Sequence, residues 1–271
     1  MNLTDPSELR AFLARHGIFA AKGLGQHFLC SGKVAEAIRL RLAGMRGLLE
    51  IGPGPGILTS VLSSNGERMI ALEVDARMLP ALAESAPTAE VRLGDALEQD
   101  LAAILGELPS PRGVVSNLPY YITGPLLTRI AEAASNWDKA VLMMQREVAT
   151  RILALPGNSE RGSLSIYLQA QFAIEKVCDV PPGAFLPPPK VESTVLELVP
   201  LRTAFEPGFF DFVRAGFKQP RKTLANNLVA SGMGREEATI RLERAGLDER
   251  VRPHMLSLAE WQSVAQRPLE C

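Results

Sequence analysis

The stretch Leu48-Leu49-Glu50-Ile51, followed by Gly52-Pro53-Gly54-Pro55-Gly56 and then Ile57-Leu58-Thr59-Ser60-Val61-Leu62, constrains this chain most. The short apolar run reads as a buried strand, and the residues from Ile57 begin a helix. Between them, three glycines alternate with two prolines. A strand, a glycine-rich turn and a helix open a nucleotide-binding βαβ unit, whose ligand lies beyond the carboxyl ends of parallel strands. The spacing is Gly-x-Gly-x-Gly, not the Gly-x-Gly-x-x-Gly of dinucleotide binding. Each proline removes a backbone N–H, and diphosphates are held by such donors. The turn is therefore a poor phosphate cradle. It suits a cofactor that needs only a close approach of the backbone. A glycine turn alone is a weak signal, so the later strands decide its meaning.

Met69-Ile70-Ala71-Leu72 reads as the second strand, ending at Glu73-Val74-Asp75. An acid roughly 20 positions after such a turn is where a carboxylate holds a ribose diol; the plain alternative is a strand-end acid facing water. Val91-Arg92-Leu93 is the third strand and closes on Gly94-Asp95-Ala96-Leu97, a carboxylate beside a backbone N–H, which is what an adenine edge requires. Gly113-Val114-Val115 is the fourth, running into Ser116-Asn117-Leu118-Pro119-Tyr120-Tyr121. An Asn side chain both donates and accepts, and a Tyr offers a flat face for stacking. The same residues could be only a proline-containing turn. Glu73, Asp95 and Asn117 each follow a strand at its carboxyl end. Together with the Gly52 turn they converge on one crevice in a sheet of this type.

Further strands are expected at Lys139–Met144, Ala173–Cys178 and Ser193–Pro200. Helical spacing covers residues 6–16, 32–43, 76–84, 126–134 and 164–170, with Pro80 shortening or kinking the third of these. Lys22 to Leu29 is a basic, glycine-broken loop, and Pro181 to Val191 a rigid extended loop with one aromatic, Phe185. Beyond Pro207 no strand pattern remains. Phe209–Phe217, Arg221–Val229, Arg235–Ala245 and Ser257–Ala265 have helical spacing, punctuated by Gly232, Gly246 and Pro253. The expected division is 1–200, with an N-terminal arm 1–30, and a helical domain 201–271.

The net charge of −1 hides an uneven distribution. Residues 9–49 carry seven Lys/Arg and one acid, residues 50–138 twelve acids and five bases, and residues 212–234 four bases and no acid. Two basic segments flanking an acidic middle fit a polyanion, although charge alone fits solvated helix faces as well. No apolar run reaches the length of a membrane span, and the N-terminus lacks a secretory pattern. Three widely spaced cysteines, Cys30, Cys178 and Cys271, form neither a disulfide framework nor a metal site, so a cytoplasmic setting is the default.

Assembled, these stretches resemble the ribosomal RNA adenine dimethyltransferases. The match rests on Lys22-Gly-Leu-Gly-Gln-His-Phe-Leu29, Glu50-Ile-Gly-Pro-Gly-Pro-Gly56, Glu73-Val-Asp75, Gly94-Asp-Ala-Leu97, Asn117-Leu-Pro-Tyr120, Gln145-Arg-Glu147, Phe185-Leu-Pro-Pro-Pro-Lys-Val191 and Arg221-Lys-Thr-Leu-Ala-Asn-Asn-Leu228. They occur in the family's order from about residue 16 to 265, and eight ordered stretches are specific where one glycine turn is not. The resemblance implies an α/β, Rossmann-like class I methyltransferase sheet with a small C-terminal helical domain that binds RNA. It implies S-adenosylmethionine as cofactor and dimethylation at N6 of two adjacent adenosines near the 3′ end of 16S rRNA in the small ribosomal subunit, by a monomer with no metal and no membrane attachment. Carried onto matching positions, Gln26, His27 and Leu29 line the cofactor entrance. Gly52 and Gly54 approach the methionine part, Glu73 takes the ribose, and Asp95 with Ala96 takes the adenine. Asn117, counted among the cofactor contacts as well, and the Leu118 carbonyl accept from the target N6, Pro119 belongs to the same catalytic stretch, and Tyr120 and Phe185 stack on the target base from its two faces. Lys22, Arg214, Lys218, Arg221 and Lys222 are the expected RNA contacts.

Two positions depart from the family: His27 stands where Asn is usual, and Tyr121 follows Tyr120 where Asn is usual. An imidazole still donates, but its charge varies near neutral pH. Two other functions share parts of this pattern. A DNA adenine methyltransferase has a similar Asn-Pro-Tyr-type site, and a non-catalytic assembly factor could retain the fold. Motif order and the Phe185 loop favour rRNA, and the intact Glu73, Asp95, Asn117 and Tyr120 favour an enzyme. A nicotinamide dehydrogenase is disfavoured by the glycine spacing.

Overall fold

The computed structural model describes residues 2–19, 26–63 and 66–266. Asp5 caps the first helix, α1 (Pro6–Arg15), by accepting from the Ser7 and Glu8 amides, and buries Leu9, Phe12 and Leu13 on one face. The short strand β1 (Phe28–Leu29) and helix α2 (Gly32–Arg41) follow. Alternation of strand and helix then begins: β2 (Gly47–Ile51), α3 (Ile57–Leu62), β3 (Arg68–Glu73), α4 (Leu79–Ser85), β4 (Glu90–Leu93), α5 (Leu101–Gly106), β5 (Arg112–Asn117), α6 (Thr123–Glu132) and β6 (Lys139–Gln145). After α7 (Arg146–Leu153) and α8 (Ser163–Gln171) come β7 (Phe172–Val180), β8 (Phe185–Leu186) and β9 (Ser193–Pro200). Four helices close the chain: α9 (Phe209–Gly216), α10 (Leu224–Ala230), α11 (Arg235–Arg244) and α12 (Leu258–Ala265).

Seven strands form one sheet in the order β4-β3-β2-β5-β6-β9-β7. The strands β2 to β6 pair in parallel, and β9 runs antiparallel to β6. Every residue of β2 is buried, as expected of a strand covered on both faces. The order reverses between β2 and β5, where the register sets Ile51 beside Ser116. The Ser116 hydroxyl donates to the Ile51 carbonyl at 2.7 Å, which ties the two strand ends together. The crevice expected at a topological switch point therefore opens between the Gly52 turn and Asn117.

The chain divides into two compact units, residues 1–149 with 173–200 and residues 150–172 with 201–271. A single boundary at residue 200 thus misses one excursion. The reason is α8, whose Ile166 shares a core with Phe209, Val213, Leu224, Leu228 and Trp261. Three local expectations are also corrected. Residues 28–29 and 185–186, read as parts of two loops, pair as antiparallel strands, Phe28 with Leu186 and Leu29 with Phe185. The helix around Pro80 is short, as expected, Leu79–Ser85, but Pro80 lies in its first turn, where its missing N–H costs nothing, and starts the helix rather than kinking it. Helix α10 begins at Leu224, not Arg221, because Thr223 is extended (φ −65°, ψ 158°) and caps it. Arg221 and Lys222 consequently lie on the loop before that helix.

Candidate active site

The Gly52 turn folds as the glycine pattern demands. Gly52, Gly54 and Gly56 have φ of 70°, 58° and 89°, a region that residues with a Cβ rarely adopt. A Cβ at Gly56 would also collide with the Ser85 side chain, whereas one at Gly52 would meet no protein atom within 4 Å. The turn is anchored by the Gly52 amide on the Leu72 carbonyl at 2.9 Å and by the Gly54 amide on Glu73 Oε2 at 2.8 Å. The other carboxylate oxygen of Glu73 accepts the Asp75 amide at 2.8 Å. Asp75 in turn accepts from Gln26 Nε2 at 3.0 Å and pairs with Arg77. These partners, Arg77 first, hold the Asp75 carboxyl down at about 2.

A cavity opens at this edge of the sheet, lined by Gln26, His27, Phe28, Leu29, Glu50, Gly52, Pro53, Gly54, Ile57, Leu58, Glu73, Val74, Asn117, Leu118, Pro119, Tyr120 and Tyr121. Two buried carboxyls face it. Burial raises Glu73 above the ordinary carboxylate value despite the backbone donors of Asp75, Gly54 and Val74. Glu50 is only 2% exposed, and burial, with the nearby Glu73 charge adding, pushes it up to about 8. Among the described residues its Oε2 has no hydrogen-bond partner. Glu50 was missed as a candidate, although a signal was present: it is the one charged residue in the buried strand Gly47–Ile51.

The opposite wall is built from the end of β5. The Leu118 amide donates to the Met143 carbonyl at 2.9 Å, and Thr123 Oγ1 closes the Pro119 turn by donating to its carbonyl at 3.0 Å. Asn117 Nδ2 donates to the His27 carbonyl at 3.0 Å, so its Oδ1 is left as the acceptor at the cavity. His27 Nδ1 bonds the Pro187 carbonyl at 2.8 Å, which fixes the proton on Nδ1, and the ring lies 5.5 Å from that of Tyr120 at 30°. The Tyr120 hydroxyl meets Ser193 Oγ at 2.7 Å. Ser193 is fully buried and nothing in the sequence pointed to it.

The structure thus brings together Gln26, His27, Leu29, Gly52, Gly54, Glu73, Asn117, Leu118, Pro119 and Tyr120. It does not bring Asp95, Ala96 or Phe185 to the cavity lining. Asp95 follows β4, with Oδ1 taken by the Leu97 amide at 2.9 Å, and Ala96 is buried beside it. Phe185 is 3% exposed and packs in the core with Leu29, Val180 and Val195. Pairing of β8 with β1 holds this ring in the core, so the second stacking face expected of Phe185 is not among the cavity-lining residues. In the helical unit Arg214, Lys218, Arg221 and Lys222 are all exposed, and Arg214 pairs with Asp211. Lys22 lies outside the described residues. Among the described residues no group of His, Cys, Asp and Glu forms a metal site, and no helix is long and apolar enough to cross a membrane.

Comparison with known proteins agrees with this architecture. The family model for ribosomal RNA adenine dimethylase matches residues 20–267. The ribosomal RNA small subunit methyltransferase A of Deinococcus radiodurans is 42% identical over 97% of this chain and 90% of its own length. The protein of the same name from Pelotomaculum thermopropionicum is 40% identical over 99% of this chain and 98% of its own. The crystal structure of a dimethyladenosine transferase from Plasmodium falciparum superposes with a TM-score of 0.72 at 26% identity, covering 88% of this chain and 96% of that one. The strand–turn–helix signature, the switch-point cavity and a match over nearly the whole length lead to one assignment: this chain belongs to the ribosomal RNA adenine dimethylase family.

Proposed function

We propose that the chain transfers methyl groups from S-adenosylmethionine to N6 of two adjacent adenosines near the 3′ end of 16S rRNA, as a cytoplasmic enzyme of small-subunit biogenesis. The observation that carries this reading is the state of Asn117. Its amide nitrogen is held by the His27 carbonyl, which leaves a fixed oxygen acceptor at a cavity that two buried carboxyls also face.

The residues present fit a sulfonium nucleoside. Glu73 keeps lone pairs beyond those used by Gly54 and Asp75 and suits a ribose diol. Glu50 offers a buried Oε2 with no partner among the described residues, and Gly52 leaves open the space a side chain would fill. Ile57, Leu58 and Val74 give the cavity apolar walls. Asp95, at the carboxyl end of the neighbouring strand β4, keeps Oδ2 beyond its bond to the Leu97 amide, which suits an exocyclic amine. When bound, the cofactor supplies an electrophilic methyl on sulfur.

The target side needs positioning more than acid–base chemistry. The N6 lone pair of adenine is delocalised into the ring. Hydrogen bonds from N6 to Asn117 Oδ1 and the Leu118 carbonyl favour a more tetrahedral, more nucleophilic nitrogen. Tyr120, steadied by Ser193 and His27, offers the stacking face. Displacement at the methyl is in-line, so holding the nitrogen in place supplies much of the rate. The N6 proton becomes acidic once the nitrogen is alkylated and passes to water, so no strong base is required. A target base must be unstacked to reach such a cavity, which favours loop or single-stranded RNA. Arg214, Lys218, Arg221 and Lys222 of the helical unit suit its phosphates.

The test is incubation with labelled S-adenosylmethionine and either small-subunit particles lacking the modification or duplex DNA. Label recovered as N6,N6-dimethyladenosine in rRNA supports the proposal. Label in DNA alone, or none with cofactor bound, sinks it.

A further inference from the structure

The loop Phe217–Thr223 between α9 and α10 carries Lys218, Arg221 and Lys222, all exposed, and no acid. None of the three meets a carboxylate among the described residues; Lys218 Nζ donates to the Ala230 carbonyl at 3.2 Å. Three like charges within five positions repel one another, and an unrestrained loop of this kind samples many conformations. Its backbone is nevertheless held, and largely by one side chain.

That side chain is Asn227 in α10, 1% exposed. Its Oδ1 accepts from the Gln219 amide at 2.6 Å. Its Nδ2 donates to the carbonyls of Gln219 at 3.0 Å, Thr223 at 3.0 Å and Lys222 at 3.4 Å. The Lys222 amide closes the loop on the Gln219 carbonyl at 2.9 Å. Every side-chain bond of Asn227 thus goes to the backbone of the cationic loop. An apolar residue would fill the same space but leave these loop groups without their partner, where a buried amide satisfies them together. Pro220, at the tip of the turn, adds a fixed φ.

We propose that Asn227 is a positioning residue for RNA recognition: from inside the helical unit it presets the Lys218–Lys222 backbone so that the three cations meet neighbouring phosphates at once. This rests on the reading of the helical unit as an RNA-binding surface. Presetting a loop lowers the ordering cost of binding. Cations that engage together release counterions together, which steepens the dependence of affinity on salt.

The experiment measures binding of the full chain to small-subunit rRNA across a series of KCl concentrations, at a temperature where every variant is folded. Cofactor affinity serves as the control. Arg221→Ala with Lys222→Ala is expected to weaken RNA binding by about 10-fold or more and to flatten the salt slope by about 2. Asn227→Ala is expected to lose about 10-fold, also with a flatter slope, and to leave cofactor affinity unchanged. Added to the double cation variant, it should cost less than about twofold more, because its effect runs through those cations. Wild-type RNA affinity and slope in Asn227→Ala, or a loss that adds in full to that of the cation variant, overturns the proposal. If the cation variant itself binds like wild type, the RNA reading of the loop has failed instead, and the proposal with it. Should Asn227→Ala not fold, Pro220→Gly loosens the exposed turn while leaving the core intact. It must weaken RNA binding in the same way, and unchanged binding there overturns the proposal equally.

Discussion

The two walls of the cavity are held by different means. On the glycine-turn side most of the donors are backbone amides: the Gly54 amide reaches Glu73 across 19 positions and the Asp75 amide reaches it across 2, with one longer side-chain tie, Gln26 to Asp75 across 49. On the Asn117 side three side chains join segments far apart in the chain. Asn117 bonds His27 across 90 positions, His27 bonds Pro187 across 160, and Tyr120 bonds Ser193 across 73. The first wall is secured by the sheet, so a side chain there acts mainly through its own chemistry. The second is a relay of side chains, so a change at one residue displaces the next. Substitutions that split binding from turnover separate the two.

The largest effect is expected at the head of the relay. Asn117→Ala removes both the acceptor and the tie to the His27 carbonyl. Methyl transfer should fall by about 100-fold or more, the scale of a lost near-attack geometry. Cofactor affinity, measured by equilibrium binding, should change by less than about threefold, because the glycine-turn wall keeps its own backbone bonds. If cofactor binding is lost instead, Asn117 belongs to the other wall and the comparison fails.

The next effect isolates the first wall and is read in stability. Glu50 ionises in the fold only at about 8, whereas its ordinary value is 4.5. Between these values the folded chain retains a proton that the unfolded chain has released. Stability therefore falls as pH rises from 4.5 to 8 and levels off above. Glu50→Gln keeps the shape without the charge, so this slope should vanish. In thermal melts without cofactor the variant should gain on wild type toward pH 8, by several degrees for an effect of a few kcal/mol. Parallel curves for the two proteins from pH 5 to 8.5 would show that Glu50 is not the buried acid described.

How much of this was legible follows the same division. The parallel strands announced themselves as apolar runs ending in Gly52, Glu73 and Asn117, because each wall position lies at the carboxyl end of its own strand. The helical second unit was legible in the spacing after Pro207. What could not be read were contacts between distant segments. The pairing of β1 with β8, which buries Phe185, depends on two-residue strands too short for any periodicity. Ser193 is an ordinary strand-opening serine until Tyr120 is folded against it. The excursion of residues 150–172 into the second unit is fixed by where Ile166 packs, and the Pro156-Gly157-Asn158-Ser159 loop lies inside it rather than at its boundaries. Glu50 is legible as a charge inside a buried strand, beside glycines whose spacing is the stronger signal.

A smaller effect is expected at the far end of the relay. Ser193→Ala removes the partner of the Tyr120 hydroxyl, and burial already pushes that phenol up from its ordinary value, so no phenolate compensates. The ring should lose its fixed angle. The expected result is roughly a 10-fold drop in kcat/KM for rRNA, about the worth of one buried hydrogen bond, with cofactor affinity unchanged. Tyr120→Phe should match it, and combining the two should add little. Full additivity would mean that the hydroxyls act apart.

The smallest effect tests whether the relay needs an imidazole or only a donor. His27 holds the Pro187 carbonyl through Nδ1–H, and its ring lies against Tyr120. An Asn at this position carries an N–H that can reach the same carbonyl, but it has no ring. His27→Asn should therefore keep the strap between the arm and the proline loop, and alter kcat/KM by less than about threefold. His27→Ala gives up both the strap and the ring contact, and should cost about 10-fold, the sum of a hydrogen bond and a modest aromatic contact. Because the His27 backbone carbonyl still receives Asn117 Nδ2 in both variants, neither should approach the loss seen in Asn117→Ala. If Asn proves as damaging as Ala, the ring rather than the strap carries the contribution of His27, and the relay is aromatic at this link rather than hydrogen-bonded.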